Sequence, residues 1–216
     1  DERGNRMNVD YANLPVEIRR KVDYTTITVI EIKVEQEEKR TEILRKIFAN
    51  LNRGGMLLSD QEQRNGIYDC RFYDMLQEFN RHNEKWRSIW GRESSKERDM
   101  EMLLRFCALK RYVSVKNGKF EIEGYKSNFA EMLDRFSGEA FQFKEEEIRP
   151  YQDSLTGFVA QFENCPTFSS DVALLESFYV LFEVKKLRIR ITRELCEQIQ
   201  SSADFKKSGR QGTTKI

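Results

Sequence analysis

The apolar positions of this chain change period several times, and each change marks an element. Tyr24–Val34, YTTITVIEIKV, is rich in β-branched residues; Ile27 and Val29 alternate in one phase, Ile30, Ile32 and Val34 in the other. That predicts a strand with one phase shift, from a bulge or from burial on both faces. Just before it, Asn13-Leu14-Pro15 predicts a short helical turn, with Asn13 as cap and Pro15 in the first turn. After residue 38 the period becomes helical, and Ile43, Leu44, Ile47, Phe48 and Leu51 form one stripe. Further helices are predicted at 59–68 and 70–80. A charged stretch, Gly91–Asp99, then precedes a helix with the stripe Met100, Leu103, Leu104, Cys107 and Ala108.

Val113–Ile122 contains Asn117-Gly118, a turn signal that predicts a small hairpin. Phe129, Met132, Leu133 and Phe136 make the next helical stripe. A long helix is predicted over Glu139–Asn164, with Ile148, Tyr151, Leu155, Phe158, Val159 and Phe162 at spacings of three and four. Pro150 lies inside it and must kink it or mark its true start. Ser170 or Asp171 caps a helix carrying Val172, Leu175, Phe178, Tyr179 and Phe182, and Thr192–Gln200 forms the last one. The class is mainly α with a small β element (α+β). A single strand makes no sheet, so Tyr24–Val34 must pair with the hairpin or with a strand outside this sequence.

Composition narrows the function classes. The 216 residues are 34% charged, yet the formal net charge is only +1, so any nucleic-acid site must be a local patch. Four cysteines (Cys70, Cys107, Cys165 and Cys196) and one histidine, in no metal-ligand spacing, argue against a zinc site. A chain this long needs no disulfide framework, so the expected state is reduced thiols in the cytoplasm. No run of about 18 apolar residues is present, which argues against a membrane partner. The opening Asp1 and the polar 201–216 stretch point to a piece of a longer protein with a flexible tail; a homo-oligomer is compatible with the sequence.

The most informative stretch is Ile47–Tyr68, IFANLNRGGMLLSDQEQRNGIY. Gly54-Gly55 permits positive φ and close backbone approach. Ser59 sits where an N-cap belongs and Glu62 follows three residues later, a capping box. Asn52, Arg53, Arg64 and Asn65 surround the glycine turn next to this helix start, where free amides and the helix dipole favour an anion such as phosphate. The structural alternative is a simple connection between two helices.

Elsewhere, Lys185, Lys186, Arg188, Arg190 and Arg193 lie within one acid-free segment and alternate with Leu187, Ile189 and Ile191. This predicts either a solvated edge strand or a DNA-backbone contact. His82 lacks a metal or catalytic partner and is read as a solvated helix-end residue, and no serine or cysteine nucleophile has a histidine base near it in sequence. Trp86 and Trp90 are read as a helix–helix contact, and Glu145-Glu146-Glu147 as a solvated helix start.

The Ile47–Tyr68 stretch resembles the signature of the domain at the N-terminus of GmrSD-type restriction endonucleases, a family with a ParB/sulfiredoxin-like core. Ile47, Phe48, Leu51, Asn52, Gly54, Gly55, Leu58, Ser59, Gln61, Glu62, Arg64 and Asn65 fit its pattern; Gln63 departs from it. LPVEIRRKVDYTTITVIEI, ERDMEMLLRFCAL and GYKSNFAEMLDRF resemble its lead-in and two later helices, so the likeness spans most of residues 14–137. It implies that residues 1–137 are the C-terminal part of a ParB-like domain, that 138–200 continue its helical region, and that the whole is a helical portion of a DNA-targeting, nucleotide-dependent phage-defence nuclease. The family's Asp-Gly-Gln-Gln-Arg motif is not in this sequence. The resemblance therefore assigns no catalytic residue here, leaves this portion inactive alone, and gives the nucleoside triphosphate and divalent metal to an upstream ParB-like core. A non-catalytic scaffold or protein-interaction module is the alternative.

Overall fold

The computed structural model describes residues 10–26, 29, 31, 33, 40–51, 57–124 and 129–205. The chain divides into two compact units, residues 1–40 and 41–216.

In the first unit a 3-10 turn, Tyr11–Asn13, leads into helix α1, Val16–Asp23. Pro15, not Asn13, is the N-cap, because proline has no N–H to leave unpaired at a helix start. Arg19 ties the turn to the helix by donating to the Ala12 carbonyl at 2.6 Å while its guanidinium lies 5.5 Å from the Tyr11 ring centre. The strand expected at Tyr24–Val34 falls partly outside the described residues. Of those described, Tyr24 caps the end of α1, and Thr25, Thr26, Val29, Glu31 and Lys33 belong to no helix or strand.

The second unit is built from helices α2 (Arg40–Leu51, its first residue at the boundary), α3 (Asp60–Ile67), α4 (Arg71–His82), α5 (Glu84–Trp90), α6 (Arg98–Tyr112), α7 (Phe129–Ala140), α8 (Glu145–Val159), α9 (Val172–Val184) and α10 (Arg193–Ser201), with a hairpin of β1 (Val113–Lys116) and β2 (Lys119–Ile122). Among the described residues the class is therefore mainly α with a small antiparallel element. The hairpin pairs Val113 with Ile122 and Lys116 with Lys119. Asn117 and Gly118 both take positive φ, 50° and 76°, as the two-residue turn requires.

Helix α6 is the axis of this unit. Beyond the stripe seen in the sequence, it also buries Met102, Phe106, Leu109 and Tyr112, so α3, α4, α7, α8 and α9 all pack on it. Phe106 stacks on Tyr179 at 4.5 Å between ring centres and meets Phe158 edge-on at 5.2 Å. Trp86 and Trp90 are buried and 5.5 Å apart, which makes them packing residues rather than an exposed stacking platform. Phe48 of α2 closes on Gly66 of α3; a Cβ there would lie 2.6 Å from the ring.

The helix expected over Glu139–Asn164 is shorter at both ends, Glu145–Val159. α7 ends at Ala140, and the turn between it and α8 brings Phe143 onto Phe72, Phe136 and Tyr151. Pro150 lies six residues into α8 and does not mark its start. The lost amide bond falls on the carbonyl of Glu146, itself an exposed residue. Cys70, Cys107, Cys165 and Cys196 are all free thiols. Among the described residues no helix is long and apolar enough to cross a membrane.

Candidate functional site

Two regions carry the residues singled out in the sequence: the start of α3, and the segment that follows α9. Asn52, Arg53, Gly54 and Gly55 lie outside the described residues. The start of α3 is fully described, and the capping box forms. Ser59 Oγ accepts from the Glu62 amide at 3.2 Å, and the Ser59 amide donates to Glu62 Oε2 at 2.6 Å. These bonds from Ser59, backbone first, hold the Glu62 carboxyl below its ordinary range. Lys96 adds to the closure by donating to the Leu57 carbonyl at 2.7 Å. The helix start thus already carries its anion, a side chain of its own.

Arg64 departs from the anion-binding expectation in the same way. It is only 4% exposed. Its Nε meets Asp134 at 2.8 Å, and Nη1 faces Glu101 at 3.8 Å and Gln61 at 3.4 Å. Two carboxylates draw the guanidinium into the junction of α3, α6 and α7, because an unpaired cation there would be far costlier than a paired one. Asn65 accepts from Gln61 Nε2 at 2.8 Å. The same network continues outward, since Glu101 also holds Arg105 at 2.9 Å and Arg105 reaches Glu176 of α9 at 2.8 Å. It locks helices together.

The basic segment is not a strand. α9 ends at Val184, Lys185 caps it, and Lys186 takes a left-handed φ of 53°. The chain then runs without regular structure to a single parallel bridge between Phe162 and Ile191. Glu163 donates its amide to the Ile191 carbonyl at 2.9 Å, and the Ile191 amide donates to Gln161 at 2.8 Å. The alternation of charge and hydrophobe therefore serves only Ile191, which is buried, and half-buried Ile189; Leu187 stays exposed.

The five cations of this segment are all exposed. Arg188 donates to the Phe182 carbonyl at 2.6 Å and lies 3.8 Å over the Phe182 ring, so it caps the negative end of α9. Lys186 meets Glu183 at 3.1 Å, Lys185 stands 5.3 Å from the Phe120 ring centre, and Arg190 pairs with Glu163 at 3.0 Å. Arg193 is the first residue of α10. A cleft of about 440 Å³ opens where the end of α8 meets this segment, lined by Lys85, Gln161, Glu163, Arg188 and Arg190 among others. A second cleft of about 440 Å³ shares Ala160, Gln161 and Arg188 and reaches Lys110, Ser154, Glu183 and Lys186.

The floor of that second cleft is a polar cluster absent from the sequence expectations. Ser154 Oγ lies 2.9 Å from Tyr179 Oη and donates to Glu183 Oε2 at 2.8 Å; Lys110 Nζ meets Glu183 Oε1 at 2.6 Å. Burial drives the Tyr179 phenol well above its ordinary value, so it stays protonated. The available signal was Glu176 and Glu183, seven residues apart and the two charged residues of α9: both face α6, where Arg105 and Lys110 receive them. His82 ends α4, exposed and 3.0 Å from Glu78, as a solvated helix-end residue should be. Among the described residues, no three His, Cys, Asp or Glu side chains come together as a metal-binding group. No family model, curated protein or solved structure matches this chain.

Proposed function

We propose that this chain is the helical part of a DNA-targeting nuclease subunit, and that it holds the nucleic-acid backbone at the cleft between α8 and the 185–193 segment. The family resemblance supplies the nuclease context and assigns the chemistry, the nucleotide and the divalent metal to an upstream ParB-like core. The observation that supports DNA contact is the gathering of exposed Lys85, Arg188 and Arg190 on one open cleft, with Lys185, Lys186 and Arg193 alongside in the chain. The Arg190–Glu163 pair is 75% and 51% exposed, and such pairs hold by about 1 kcal/mol or less, so a phosphate can replace the carboxylate.

The test is duplex-DNA binding by fluorescence anisotropy over a range of salt concentrations. Each backbone contact contributes a slope of about −0.9 in log affinity against log salt. The Lys85→Glu, Lys185→Glu, Arg190→Glu variant spares the Arg188 helix cap. It should weaken binding at least about tenfold and flatten the slope by roughly three units. A wild-type chain that does not bind duplex, or a variant with the same affinity and slope, sinks the reading. A scaffold role is the second reading, favoured by the internal partners that Lys186, Arg188 and Arg190 already have; it predicts the first of those negative results.

A further inference from the structure

The hairpin leaves an aromatic ring in solvent beside several lysines. Cross-strand pairing sets Val113 opposite Ile122 and Val115 opposite Phe120, and the alternation of a strand puts these four on one face of the ribbon. The inner pair, Val113 and Ile122, is half-buried against the core of the second unit. The outer pair is not covered: Val115 is 36% and Phe120 45% exposed. The root of the ribbon is held in place, since the Glu123 amide donates to the Tyr112 carbonyl at 3.0 Å and Arg135 donates to the Glu123 carbonyl at 2.9 Å. Three exposed lysines lie around the ring. Lys185, from the segment after α9, stands 5.3 Å from the Phe120 ring centre, and Lys116 and Lys119 form the last cross-strand pair before the turn. The hairpin has one acid, Glu121; its pair with Lys116 at 3.3 Å is 69% and 54% exposed, the kind of pair that holds weakly in water.

We propose that the outer half of the hairpin is a stacking site for single-stranded nucleic acid, with a base on Phe120 and the backbone held by Lys185 on the ring side and by Lys116 and Lys119 where it crosses the tip. Charge complementarity selects this occupant. A flat apolar ring rimmed by cations fits a chain of flat apolar bases joined by anions, and it does so whatever the base sequence. A second copy of this chain would set lysine against lysine. A four-residue strand is also far too short to bury the roughly 800 Å² per partner of a stable interface. A duplex keeps its base faces stacked on one another, so this site differs in kind from the cleft beside α8. None of Lys116, Lys119, Phe120 and Lys185 lines that cleft, and the inference does not require duplex binding.

The test uses the 216-residue chain and a labelled single-stranded oligothymidylate of about ten nucleotides, read by fluorescence anisotropy. One thymine is replaced by 5-iodouracil, which on irradiation cross-links to an aromatic ring stacked on it. The cross-link should map to Phe120. Phe120→Leu keeps an apolar strand residue but loses the ring; it should weaken binding roughly 5- to 100-fold and leave the salt slope unchanged, and Phe120→Tyr should restore the affinity. Lys119→Gln combined with Lys185→Gln should instead flatten the slope by roughly 1.4 units, at about 0.7 per contact on a single strand. Circular dichroism checks that each variant folds. The Lys85→Glu, Arg190→Glu variant should lose duplex affinity and keep the cross-link, so failure of the duplex reading and failure of this one are seen separately. No binding of the single strand, a cross-link mapped elsewhere, unchanged affinity in Phe120→Leu, or equal competition by an oligoglutamate peptide would each overturn the inference.

Discussion

Glu183 shows how a single side chain can hold helices together from inside an apolar surface. Burial alone would raise its carboxyl, but bonds from Lys110, Ser154 and Lys186 outweigh that and hold it below its ordinary value of 4.5. A carboxyl depressed in the folded state contributes stability that is complete above the unfolded value and is lost as pH falls through the folded one. Wild-type Tm should therefore hold above about pH 5 and drop on acidification below 4.5. Glu183→Gln should lower stability by about 2–4 kcal/mol at neutral pH, because Lys110 loses its partner, and should flatten that acid limb. Thermal unfolding of both proteins across the acid range checks this; parallel curves would contradict it. Residue identity was legible here only in part. Arg64 looked like a ligand contact because a glycine turn and a helix start are its neighbours in sequence. Its real partner, Asp134, is 70 positions away.

Elements were more legible than residues, and the errors among them have local causes. The Asn117-Gly118 hairpin and the Ser59–Glu62 box form where their short-range chemistry placed them, and of Ser170 and Asp171 it is Asp171 that caps α9. The start of α8 was expected too early, at Glu139, because its N-cap is Lys144, which has no side-chain acceptor to mark it. Only half a box forms, from the Lys144 amide to Glu147 at 2.9 Å. Pro150 drew attention as the obvious breaker, yet it is tolerated where its missing bond faces water. Pro150→Ala should restore an amide to the Glu146 carbonyl and stabilise the chain by about 1 kcal/mol, a rise of roughly 2–4 °C in Tm. An unchanged or lower Tm would show that the proline's restriction of the unfolded chain dominates. The 185–193 alternation failed as a strand because no neighbouring strand pairs with it among the described residues, and only Ile191 is drawn into a bridge.

At the scale of the molecule, the second unit depends on α6 and the aromatic layer around Phe106. Removing that ring should cost about 3–5 kcal/mol, since it contacts Trp86, Phe158 and Tyr179 and the packed neighbours relax only partially. Both tryptophans of the chain belong to this unit, so fluorescence reports on it alone. Denaturant unfolding of Phe106→Ala, followed by fluorescence, should show a lower midpoint with a similar slope; a change of under about 1 kcal/mol would mean that the layer is not the core it resembles.

By itself, the sequence determined the mostly helical class, the hairpin, most helix starts and the inward faces of the helices. Those depend on period, caps and turns, which act over a few residues. Tertiary structure decided that α6 is buried on nearly every side. It also decided that Arg64 is a clamp and that Arg188 caps a helix. Each of these depends on contacts between distant positions, which burial selects and which no local pattern encodes.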